Sequence, residues 1–171
     1  MFMSAIDLTG EVRVELLSRD REFIATAPIG WDDVEGTVYS AFVALAPLTG
    51  YADLPGYELV FNIVAADDGG PITTYHDGSE TRHLLSERTL RRQVRSLILK
   101  LVGLLIDEAE PPLVSMVTHN AGLPPAALNK YYDVCSIFTA KGYRAGKSDV
   151  WHGQHIWMME RQAEHSPPQT Y

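Results

Sequence analysis

Residues 86–118 read SERTLRRQVRSLILKLVGLLIDEAEPPLVSMVT, and the folding of this stretch decides the architecture of the chain. Leu90, Val94, Leu97, Leu101 and Leu104 recur at alternating intervals of four and three, with Ile98 and Leu105 widening the stripe. That period is one face of a long amphipathic helix. Ser86 stands where an N-cap is wanted and Pro111-Pro112 forbid continuation, so the spacing predicts a helix over 87–109. Leu113 to Thr118 then reads as a short apolar strand. A one-faced helix running into a strand implies a sheet with helices laid against it.

Toward the N-terminus the period is two. Val12, Val14 and Leu16 alternate with charged neighbours, and Phe23 to Ile29 follow the polar Ser18-Arg19-Asp20-Arg21, a β-hairpin pattern. Val34, Val38, Phe42 and Leu45 recur at helical spacing behind Asp32-Asp33, which predicts a helix over 34–45 ended by Pro47 and Gly50. Tyr57 to Ala65 and Ile72 to Tyr75 form a second hairpin pattern around Asp67-Asp68-Gly69-Gly70-Pro71, with a further turn at His76-Asp77-Gly78. Toward the C-terminus, Leu123-Pro124-Pro125 opens a helix over 126–140 that Gly142 stops. Asp149 to Arg161 closes the fold with Ile156-Trp157-Met158-Met159 as a final strand. The expected fold class is α/β (α+β), one mixed, mostly antiparallel sheet flanked by helices. It forms a single domain over 1–165, and 166–171 is a loose, polar tail.

The chain has 171 residues, 46% of them hydrophobic and 21% charged, the balance of an ordinary globular protein. Its longest apolar run, Leu97 to Ile106, is interrupted by Lys100 and falls short of the roughly 20 residues that span a bilayer. The N-terminus lacks a basic region ahead of an apolar stretch, and the one cysteine, Cys135, cannot form an internal disulfide, so the cytoplasm is the expected location. Charge is uneven. Residues 1–80 hold 14 acids and 3 bases, a net of −11, while residues 81–171 hold 8 acids and 11 bases, a net of +3. That distribution argues against a nucleic-acid binder and leaves room for a local anion site in the second half.

The long helix carries Arg88, Arg91, Arg92 and Arg95 near its start and Asp107, Glu108 and Glu110 near its end, so both ends oppose the helix dipole. Two readings fit. Arginines beside free backbone N–H groups can hold a phosphate-bearing small molecule, or they can pair with the chain's own acids. His152 and His155 are three apart, which in a strand or turn sends the rings to opposite sides, and no recognisable ligand pattern completes a metal site. Cys135 beside Tyr131, Tyr132 and Phe138 at helical spacing reads as packing rather than as a nucleophile served by His119. Asn120 follows a strand, where a mixed sheet exposes strand ends to a ligand. Tyr131 and Tyr132 point to opposite sides of their helix, so one can be core while the other offers a phenol to a cleft.

The order of elements from Ser86 onward resembles the second half of a GNAT-type N-acetyltransferase. Leu90-Arg91-Arg92-Gln93-Val94-Arg95-Ser96 is similar to that family's pyrophosphate loop, with Val94 and Ser96 where the family has glycines. Val114 to Asn120 is similar to its strand ending in asparagine, Ala127 to Arg144 to its tyrosine-bearing helix, and His155 to Arg161 to its last strand. The resemblance implies acetyl-CoA or CoA as cofactor, held by Arg91, Arg92 and Arg95 with Asn120. It also implies transfer of an acyl group to an amine, with Glu58 as base and Tyr131 or Tyr132 as acid. The alternative is a protein-interaction module, whose acidic first half and exposed aromatics, Trp31 and Tyr51 among them, meet a basic protein partner.

Overall fold

The computed structural model describes residues 2–6, 12–48, 56–67, 72–75 and 78–162. Nine strands form one sheet: β1 (Phe2–Ser4), β2 (Glu15–Arg19), β3 (Glu22–Asp32), β4 (Val38–Pro47), β5 (Gly56–Ala66), β6 (Thr73–Tyr75), β7 (Leu113–Val117), β8 (Tyr143–Lys147) and β9 (Ile156–Arg161). The helices are α1 (Gly78–Leu84), α2 (Arg88–Ala109) and α3 (Asn129–Ala140), the last preceded by a 3-10 turn over Pro125–Leu128. The main path across the sheet runs β1, β3, β4, β5, β7, β9, β8, with β2 on β3 and β6 on β5. Among the described residues all pairings are antiparallel except β5 with β7. The fold is therefore the mixed, mostly antiparallel sheet with helices that the patterning predicts.

The first hairpin forms as β2 and β3, turning through Asp20 and Arg21, both at positive φ, the conformation that two-residue hairpin turns require. The helix expected over 34–45 is a strand instead. Tyr39, Ala41, Val43 and Leu45 alternate inward on β4 and are buried, whereas Val34 is 82% exposed. The helical spacing of Val34, Val38 and Phe42 coincided with a period-two set whose inward members include small alanines. β-branched Thr37 and Val38 with Tyr39 suit the pleated surface. Asp32 does not start a helix either. Its carboxylate accepts hydrogen bonds from the Val34 and Glu35 N–H groups at 2.8 and 3.1 Å and makes the β3–β4 turn, which holds its carboxyl below the usual range.

α2 spans the predicted residues, one position shorter at its start. Glu87, not Ser86, occupies the N-cap and makes no side-chain cap, and Glu110 ends the helix in the left-handed conformation. Leu90, Val94, Leu97, Leu101 and Leu105 of α2 join Ala25, Ala27, Ile29, Val43 and Leu45 of the sheet and Val134 and Phe138 of α3 in one core. α3 lies beside α2 on the same face, because Asp133 pairs with Arg95 and Lys141 with Asp107. The patterning misses β8, where Arg144, Gly146 and Lys147 are exposed around buried Tyr143, and it misses α1 beyond its turn residues. Gly50, Tyr51, Asp68-Gly69-Gly70-Pro71, His76-Asp77 and the 166–171 tail lie outside the described residues.

A strand and a helix over these residues give different mutational patterns. Leu45→Ala is expected to cost roughly 2–5 kcal/mol, and Val34→Ala to stay within about 0.5 kcal/mol of the parent, both read from urea unfolding midpoints. A helix over 34–45 would make the two losses similar.

Candidate functional site

β5 and β7 pair for only three positions, Gly56 with Leu113, Tyr57 with Val114 and Glu58 with Ser115, and then separate. On its other side β5 is paired along its whole length with β4. On the edge facing β7, β6 returns against Ile63, Val64 and Ala65. Between those two pairings, residues 59–62 of β5 have no strand opposite among the described residues. The gap is a cavity of about 190 Å³. Glu58 to Phe61 form one wall, Val117, Thr118 and His119 the other, and Lys130, Tyr131 and Gln154 close the remaining sides.

The walls are fixed by local chemistry. Thr118 is fully buried; its N–H donates to the His155 carbonyl and its Oγ1 accepts from the His155 N–H, both at 3.0 Å. Gln154 donates from Nε2 to the Thr118 carbonyl at 3.0 Å and the His119 carbonyl at 3.3 Å. The turn that carries Gln154 seats its Gly153 carbonyl on the Gly122 N–H at 2.8 Å. Gly153 has φ +78°, which side chains rarely adopt, and a Cβ there would meet the Ala121 Cβ at a tight 3.0 Å, so glycine is favoured on both counts. An aromatic run supports the far side. Tyr131 lies parallel to Trp157 at 4.9 Å between centroids and tilts against Phe61 at 5.5 Å, joining β5, α3 and β9. Lys130 Nζ sits 5.1 Å from the Tyr131 ring centroid and 5.6 Å from that of Phe61, within cation–π range.

The residues singled out from sequence divide between this cavity and the helices. Glu58 and Tyr131 face it together. Tyr131 is buried, which raises its phenol pKa, and a hydrogen bond with the His119 backbone offsets part of that rise. Tyr132 is 47% exposed, with Trp157 at its ring edge, and is not among the lining residues. Asn120 is half-buried in the bend after His119, one residue beyond the wall. Arg91 donates from Nη1 to the carbonyls of Leu85 and Ser86, each at 2.6 Å. Arg95 pairs with Asp133, and its Nε is buried without a partner. Arg92 is exposed, as is Arg88.

Lys130 and Gln154 carried no functional signal in the sequence. Each reaches the cavity only because β7 is laid beside β5, a pairing across more than fifty residues of chain. Cys135 is buried, and burial pushes its thiol pKa up to about 11. Among the described residues no group of three or more His, Cys, Asp and Glu side chains could hold a metal ion, and no helix is long and apolar enough to cross a membrane. No protein-family model, curated protein or solved structure matches the chain.

The Cys135 thiol loses its proton at lower pH in the unfolded chain than in the folded one. Its contribution is intact below the ordinary thiol value of 9.0 and is lost as pH rises toward about 11. Stability measured by urea unfolding should therefore fall across that window. Buried Tyr131 and Tyr143, whose phenols are also raised, extend the fall upward. Cys135→Ala should flatten its lower part, and native Cys135 should resist iodoacetamide at pH 8 yet react in urea.

Proposed function

We propose that the cavity between β5 and β7 is a ligand cleft of a divergent N-acyltransferase, taking the acyl end of a thioester such as acetyl-CoA. The observation that carries this reading is the three-residue parallel pairing of β5 with β7, at whose end a carboxylate, Glu58, and a phenol, Tyr131, face one space. A cavity of about 190 Å³ is smaller than the roughly 300–1,000 Å³ of sites that engulf a drug-sized ligand. It suits the end of a longer molecule. The open edge of β5 offers main-chain groups to an extended, amide-bearing arm, as an added strand would use them.

The residues fit such a cofactor at the acyl end and less fully at the phosphate end. Arg91 and Arg95 are engaged by the chain's own carbonyls and carboxylate, so phosphate contact falls to exposed Arg92, with Arg88, at the start of α2. No side chain caps that helix start, so its first N–H groups remain available to an anion. The Arg95–Asp133 pair ties α2 to α3 just past the first turn of α3, the turn that carries Lys130 and Tyr131 to the cavity.

Acetyl-CoA, when bound, would supply an activated acyl group. Glu58 offers a carboxylate to take a proton from an acceptor amine, and Tyr131 holds a proton at Oη because burial disfavours its phenolate. Gln154 and Thr118 hold the β7 wall in place. Titration with acetyl-CoA and with free CoA should give binding heat and a rise in melting temperature, and Arg92→Ala should weaken both. Glu58→Gln should lower turnover by about 100-fold or more, the usual weight of a general base, with the fold intact by circular dichroism. No heat and no thermal shift at millimolar ligand would overturn the reading.

A second reading, a protein-interaction module, draws on one observation. The register sets Met3 opposite Trp31 and Trp31 opposite Val38, so three exposed apolar side chains form a row across β1, β3 and β4 in the acidic half of the chain. A basic partner would be held there. Trp31→Ala should abolish salt-sensitive binding of a lysine-rich apolar peptide without altering CoA binding. Unchanged peptide binding would remove the reading.

A further inference from the structure

β2 is paired with β3 over Glu15–Arg19, and among the described residues no strand pairs with its other edge. All five of its residues are exposed, Leu16 at 49% and Leu17 at 57%. Sheets commonly blunt such an edge with proline, a bulge or a central charge. β2 has none of these. Its register against β3 runs unshifted, and its charges, Glu15 and Arg19, stand at opposite ends with opposite signs. The turn decides which backbone groups face outward. Asp20 and Arg21, both at positive φ, close a two-residue hairpin loop, so the flanking Arg19 and Glu22 form a hydrogen-bonded pair. Such pairs alternate along an antiparallel ladder, so Leu17 and Glu15 also direct their N–H and C=O groups to β3, and Leu16 and Ser18 direct theirs to the open edge.

We propose that β2 is the contact strand of a homodimer, in which two copies pair β2 with β2 antiparallel about a twofold axis at Leu17. The segment Glu-Leu-Leu-Ser-Arg is complementary to itself in that register. Leu17 meets Leu17 of the second copy, Glu15 meets its Arg19, and Leu16 exchanges both backbone hydrogen bonds with its Ser18. Because Glu15, Leu17 and Arg19 share one face of the strand, the leucine pair is flanked on each side by a carboxylate and a guanidinium. Sliding the strands by two residues either way sets Glu15 or Arg19 against Leu17 and loses both ion pairs, so the register is specified. The present partners of these charges, Arg13 and Asp20, are exposed, so exchanging them costs little. Five residues a side are far fewer than the roughly 20–30 of a standard interface, so the dimer is weak and depends on concentration. β3 and β4 separate β2 from β5, so the pairing goes beyond the acyltransferase reading and leaves the cleft open.

Sedimentation of the intact chain from about 10 μM to about 1 mM should show a monomer–dimer equilibrium. Ser18→Pro removes an outward N–H that β3 does not use, and Leu17→Lys sets like charges at the twofold axis. Each should raise the dimer Kd by about 10-fold or more. Glu15→Arg should do the same, and Arg19→Glu added to it should restore the parent Kd, because the swap rebuilds both ion pairs. A strand needed only for folding gives no such rescue. Leu17→Cys should form an intermolecular disulfide under mild oxidation, since opposed residues at that kind of position bring their Cα atoms to about 4.5 Å. Leu16→Cys, which faces Ser18 of the second copy, should cross-link far more slowly, and native Cys135 is buried. Circular dichroism checks the fold of each variant.

A chain that stays monomeric at about 1 mM overturns the proposal. So does a dimer whose Kd is unchanged by Ser18→Pro and Leu17→Lys, or one that the charge swap fails to restore.

Discussion

The fold depends on a parallel strand pair that is cut short. β5 is tied along one side to β4 for its full length, and β7 is tied along one side to β9 for its full length. The two halves of the sheet meet only through Gly56–Glu58 and Leu113–Ser115. Each half is an antiparallel unit with its own twist, and neighbouring strands rotate by about 20–25° relative to one another. Two twisted units hinged at three residues diverge beyond the hinge. The gap is thus a product of sheet geometry, and α2 is the crossover that parallel neighbours need.

A gap of this kind would close or fill with side chains unless something occupied its sides. Here β6 covers β5 above the gap, and the Phe61, Tyr131 and Trp157 rings span it from strand to helix to strand. Aromatic pairs add about 0.5–1.5 kcal/mol each beyond their buried area, enough to define a spacing. Lys130 is caught in the same arrangement through its cation–π contacts. The groups available for chemistry are therefore set by packing, and the hydrogen bonds from Gln154 and His155 to residue 118 keep the opposite wall from following the helix.

Most of the architecture could be read from periodicity where one period dominated. α2 shows a clean helical stripe and β5 a run of β-formers, and both stand within a residue or two of expectation. β4 failed because its inward alanines weaken the period-two signal while Val34, Val38 and Phe42 mimic a helical one. β8 failed because an edge strand of Arg144, Ala145, Gly146 and Lys147 has almost no apolar alternation to detect. Of the site, Glu58 and Tyr131 were legible as residue types in promising places, but their meeting was not, since it depends on the β5–β7 pairing. Lys130 looked like any first-turn lysine. Gln154 looked like a loop residue, and only its bonds to Thr118 and His119 show its part in the wall.

The misplaced charges of α2 also acquire a physical account. Cations at its start and anions at its end oppose the dipole, at a cost of a few tenths to about 1 kcal/mol per solvated group. Arg91 turns back onto the Leu85 and Ser86 carbonyls, Arg95 reaches Asp133, Asp107 reaches Lys141 and Glu110 reaches Arg161. Exposed pairs of this sort are worth about 0–1 kcal/mol, so they roughly offset the dipole penalty rather than add stability. Their effect is positional. Asp133 and Lys141 sit near the two ends of α3, so two ion pairs fix the rotation and the slide of α3 along α2. The first turn of α3 carries Lys130 and Tyr131, and α2 is anchored on β3 and β4. The charge pattern that the sequence also lets one read as a phosphate site is, in larger part, the device that holds the cavity's helical wall in register with its strands.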